Sequence, residues 1–109
     1  SRGPGVGRPH PGPHPGVSIE CVEWLHEQDC AVVATDEGMD VSPSEVEGVS
    51  GPWHLILLTR MGIRLIDGAD LEELSATCAR LNRWEFEFVV GPLPVPRASG
   101  IPVNPLAIF

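Results

Sequence analysis

Two stretches of this chain, CAVVATD at 30–36 and WHLILLTR at 53–60, are apolar almost from end to end. Neither alternates, so as strands they need cover on both faces. That demand is the strongest constraint on the fold, because the chain has little with which to meet it. Only two segments carry a helical stripe. In SIECVEWLHEQD (18–29), Ser18 is a good N-cap and Ile19, Val22 and Leu25 share one face. In DLEELSATCARLNR (70–83), Leu71, Leu74, Cys78 and Leu81 trace the apolar stripe, and Asp70 and Glu73 are spaced as a capping box. WEFEFVV (84–90) alternates strictly, which predicts a strand with Trp84, Phe86, Phe88 and Val90 on one face. GIRLID (62–67) reads as an extended segment after a break at Gly62, and residues 37–52 read as a loop.

The two ends add no core. Residues 1–16 hold five of the twelve glycines and five of the twelve prolines, a tail or arm that orders only against another surface. The ending, GPLPVPRASGIPVNPLAIF, carries five more prolines and is predicted to be an extended, irregular arm. The remainder, 17–109, is enough for one small domain but leaves its strands short of cover. Exposed two-sided strands associate with whatever caps them. The expectation is a missing partner surface: a second polypeptide, an identical subunit, or an upstream half of the same product, and therefore a homo- or hetero-oligomer.

Charge narrows the class of partner. Seven arginines and no lysine stand against fifteen acids, a net charge of −8, and every acid follows residue 17. So acidic a body repels phosphate backbones, so nucleic acid is not expected as a partner. No apolar run reaches the roughly 20 residues of a membrane span, and SRGPGVGRPHPGPHPG lacks the apolar centre of a secretory signal. Cys21, Cys30 and Cys78 are odd in number and match no C-x-x-C spacing, which suits reduced thiols in a cytoplasmic protein.

Few residues suggest chemistry. His54 opens an apolar run, and Asp67 ends the next extended segment. A histidine and a carboxylate at neighbouring strand ends can supply one nitrogen and one oxygen to a divalent ion, although zinc usually takes at least three protein ligands. His10 and His14 lie in a proline-rich stretch that cannot form the helix needed to put them on one face. Asp36, Glu37 and Asp40 do not match a calcium loop and read as a solvated turn. None of the serines sits in a G-x-S-x-G nucleophile signature.

The order of segments nevertheless resembles the C-terminal part of the cyclase family of metal-dependent hydrolases, which includes bacterial kynurenine formamidase and isatin hydrolase. The resemblance runs from HPGVSIECVEWLHEQDCAVVATD through WHLILLTRMGIRLIDGADLEEL to PLPVPRASGIPVNPLAIF. It implies an α/β fold, the C-terminal part of a swivelling β/β/α domain with a mixed sheet. It also implies a divalent metal, zinc or manganese, and hydrolysis of an amide or lactam in a small-molecule substrate. By position, His54 matches the family histidine that binds a second metal or relays protons, as metal ligand and catalytic group. Asp67 falls where many members carry a metal-binding glutamate, one methylene longer. Trp53, with Trp24, either lines an aromatic substrate pocket or belongs to the core. The family's main metal motif, H-x-G-T-H-x-D, does not occur in this sequence. The resemblance therefore implies a partner segment that supplies it, and this polypeptide alone is expected to be inactive. The alternative is a noncatalytic binding or assembly subunit that retains the fold.

Overall fold

The computed structural model describes residues 12–109. His10 lies outside the described residues. The chain divides into two compact units at Asp70/Leu71, and the α/β class is observed with both parallel and antiparallel strand pairs. These pairs form two separate two-stranded sheets.

In the first unit, a single 3-10 turn at Ile19–Cys21 runs into helix α1 (Val22–Glu27). Ser18 caps the start as predicted, its hydroxyl accepting from the Glu20 N–H. Glu45, from the distant loop, accepts from the Ile19 N–H at 2.7 Å. Strand β1 (Val32–Ala34) pairs in parallel with β2 (Arg64–Ile66), with Val33 opposite Leu65. Parallel neighbours need a long crossover, and the intervening residues supply it with helix α2 (Pro52–Ile56).

The run 53–60 is thus helical, not a strand. Gly51 takes the left-handed conformation (φ 64°) and Pro52 follows in the first helical turn, where its fixed φ favours the helix. Trp53 and Leu57, four residues apart, are both buried, while Leu55 and Leu58 between and beyond them are about half exposed. Unbroken apolar runs look the same in either period, and here the helical period wins because only one face meets a core. The next turn, Leu57–Met61, widens to a π-helix and ends at left-handed Gly62 (φ 70°). Leu25, Met39, Trp53, Leu57 and Ile63 form the core, with Val17, Val33 and Leu65 among the side chains against it. The described end of the leading arm lies along the loop: His14 and Ser42 exchange backbone hydrogen bonds at 3.0 and 3.1 Å, and Val17 N–H donates to the Met39 carbonyl.

The second unit begins with α3 (Glu72–Leu81), whose N-cap position is Leu71, and which ends at Asn82 in the left-handed conformation. Of its predicted stripe, Cys78 is buried and Leu81 is exposed. Strand β3 (Glu87–Val89) falls within the alternating segment and pairs antiparallel with β4 (Leu106–Ile108). The last residues of the arm expected to be irregular therefore form a strand. A tilted contact of the Phe86 and Phe109 rings, centroids 5.4 Å apart, closes the open end of this pair.

Candidate active site

His54 lies in the first turn of α2, and its ring is held between two carboxylates. Nδ1 is 2.5 Å from Asp40 Oδ2 and Nε2 is 3.0 Å from Asp67 Oδ2. The structure thus brings together the two residues singled out from sequence, His54 and Asp67, although His54 arrives on a helix and not at a strand end. Asp67 follows β2 directly, and its Oδ1 lies 3.3 Å from the Met39 N–H and 3.5 Å from the Thr35 hydroxyl at the end of β1.

Asp40 is the residue that the sequence reading missed. Its Oδ1 accepts from the Trp53 N–H at 2.7 Å, so one carboxylate both caps the start of α2 and holds the imidazole one residue on. Asp36 and Glu37 are exposed, as a solvated turn requires, whereas Asp40 is half-buried. Nothing in the sequence separates Asp40 from Asp36 and Glu37; the structure does, because its neighbour Met39 is 2% exposed.

Trp53 is 1% exposed and its indole N–H donates to the Val17 carbonyl at 2.6 Å, which makes it a core residue with its polar atom satisfied. Trp24, in contrast, is 60% exposed. An open cleft of about 200 Å³ runs past Gly16, Val17 and Thr35, reaching the threonine that faces Asp67.

The two carboxylates govern the charge of His54. Partial burial on its own would lower the imidazole pKa. The hydrogen bond to Asp40, then the negative charges of Asp67 and Asp40, outweigh it and raise the pKa above the ordinary 6.5.

No family model matches the chain, and no curated protein matches it. A solved crystal structure described as a novel cyclase is similar, with a TM-score of 0.77 and 36% sequence identity. The match covers 89% of this chain and 31% of the cyclase. The likeness supports the cyclase family. The chain spans about a third of the length of that cyclase, and the match is to fold and sequence together, well above what a shared fold alone would give in identity.

The residues present fit a divalent cation in part. His54 Nε2 and Asp67 Oδ2 are 3.0 Å apart, near the separation of two donors at a right angle around an ion with bonds of roughly 2.0–2.2 Å and somewhat closer than a tetrahedral pair. A carboxylate on the far nitrogen of a ligating histidine is the usual outer support of such a site, and Asp40 occupies that place. Two donors are an incomplete set. Among the described residues, no group of three or more His, Cys, Asp or Glu side chains is placed to hold a metal by itself.

Proposed function

We propose that this chain is part of a metal-dependent hydrolase acting on an amide or lactam C–N bond, of the kind that bacterial kynurenine formamidase represents. It works together with an upstream or separate segment that carries H-x-G-T-H-x-D and supplies the main ligands for zinc or manganese. The observation that carries this reading is the clamp of His54 between Asp40 and Asp67, in a chain similar to a cyclase at 36% identity. When bound, the ion supplies Lewis-acid polarisation of the carbonyl and a more acidic water.

This chain's own residues do the rest. The His54 side chain is 46% exposed, so a small-molecule substrate can reach it. Asp67 presents an oxygen beside Nε2, and the pair offers either two donors to a cation or a relay for one proton. Asp40 keeps the ring from turning away. The three cysteines are free thiols, which favours a cytoplasmic location; among the described residues no helix is long and apolar enough to cross a membrane.

The test is turnover by the complete assembly. His54→Ala is expected to reduce kcat by about a hundredfold or more, the lower end of a general acid–base contribution. Unchanged turnover would remove His54 from the reaction and favour a noncatalytic subunit that retains the fold.

A further inference from the structure

Asp40 lies in a bend outside every helix and strand, so its place is set by what the loop leans against. Residues 14–17 of the leading arm are what it leans against. His14 and Ser42 exchange backbone hydrogen bonds at 3.0 and 3.1 Å, and the Val17 N–H donates to the Met39 carbonyl at 2.9 Å. Between these two points lies Gly16. A Cβ there would stand 2.6 Å from the Met39 carbonyl oxygen, 2.7 Å from the Asp40 carbonyl carbon and 2.8 Å from the Val41 nitrogen. Any side chain at this position would push the Asp40 backbone away, and no change of rotamer relieves an overlap with main chain. The arm is itself pinned to the core, since the Val17 carbonyl accepts from the Trp53 indole N–H at 2.6 Å.

We propose that Gly16 is a positioning residue: the main-chain approach it permits makes the arm a strap that holds the Asp40 carboxylate against the start of α2. Asp40 Oδ1 reaches the Trp53 N–H there at 2.7 Å, and its Oδ2 meets the His54 ring one residue on. A displacement of the arm is therefore passed to the site through two contacts, Gly16 on the Asp40 backbone and Asp40 on α2. The arm borders the site directly as well, because Pro15, Gly16 and Val17 line the cleft that reaches Thr35. The functional meaning of the strap rests on the hydrolase reading, but the strap itself does not.

The test is amide hydrogen exchange in the full chain. The Trp53 N–H lies in the first turn of α2, where the helix offers no acceptor of its own, so its protection reports the bond to Asp40. The Val17 N–H reports the arm, and the Thr35 N–H, bonded to the Ile66 carbonyl between β1 and β2, reports the surrounding fold. In the unsubstituted chain, lifting the arm releases both the Val17 and the Trp53 bonds, so their protection is expected to agree within about tenfold. A larger difference in either direction means that arm and Asp40 open separately, and overturns the proposal without any variant having to fold. Gly16→Ala is expected to lower the protection of the Trp53 N–H about tenfold more than that of the Thr35 N–H. Equal losses at the two amides, or none at Trp53, would leave Gly16 a purely structural contact and equally overturn it. None of these readouts involves turnover or bound metal, so a failure of the hydrolase reading would leave the strap standing.

Discussion

The two units spend their apolar residues differently. Among the described residues, the first buries Leu25, Met39, Trp53, Leu57 and Ile63 and leaves Trp24, Leu55 and Leu58 as its large exposed hydrophobics. The second buries Cys78 and exposes nine, from Leu81 and Trp84 through Phe88 and Leu93 to Phe109. A site needs its supports locked by packing, and the clamp on His54 sits wholly in the unit that has a core. The second unit presents most of its large hydrophobics to solvent and has no comparable core.

The sharpest way to break this contrast is to remove one tryptophan from each unit. Trp53→Ala is expected to cost about 3–5 kcal/mol, the range for emptying a large aromatic from a core, and also leaves the Val17 carbonyl without its indole partner. Trp84→Ala, at a side chain 66% exposed, is expected to change stability by no more than about 0.5 kcal/mol. Urea unfolding of both variants measures the difference, and equal costs would abolish the distinction between the units.

A smaller effect is expected at Gly16. Gly16→Ala drives a Cβ into backbone at 2.6 Å, which cannot be relieved by a side-chain rotation, and should cost about 1–3 kcal/mol as overpacking does. Because the displaced backbone carries Asp40, the Trp53 amide resonance should move in the same variant. A loss of stability with that resonance unmoved would separate the arm from the site.

The smallest effect is electrostatic. His54 has a folded pKa above its ordinary 6.5, so its bridge to the two carboxylates is fully present below the unfolded value. It is lost as pH rises through the raised folded value. In metal-free protein, stability should therefore decline slightly over that interval, and Asp40→Asn or Asp67→Asn should each lower the His54 pKa. At a side chain 46% exposed the contribution is screened by solvent. An NMR titration of His54 in the three proteins gives the answer, and an unshifted pKa in both variants would mean that the carboxylates do not set its charge.

Some of this was open to sequence reasoning and some was not. The Ser18 cap, a helix within 70–83 and a strand within 84–90 are local signals and are present, but of the faces predicted for these last two only Cys78 is buried, with Leu81, Trp84 and Phe88 exposed. The pairing of His54 with Asp67 was also legible, through the order of segments. The helical state of 53–56 was not, because an unbroken run of Trp, Leu and Ile has no period to read, and the deciding features were Gly51 and Pro52 just before it. Strand β4 was hidden by the prolines that precede it, although Leu106–Ile108 itself contains none. Asp40 was hidden by its neighbours in sequence: three acids near one another suggest solvent, and only the burial of Met39 shows that the chain turns inward there.

The central claim is that this chain brings an oriented His54 and Asp67 to a metal site completed by residues outside it. The measurement that bears on it most directly is the metal content of the native material, with every polypeptide in it weighed intact. The account predicts zinc or manganese in stoichiometric amount, together with a sequence containing H-x-G-T-H-x-D, and loss of part of that metal in Asp67→Asn. A compact, metal-free monomer of this chain alone would contradict it.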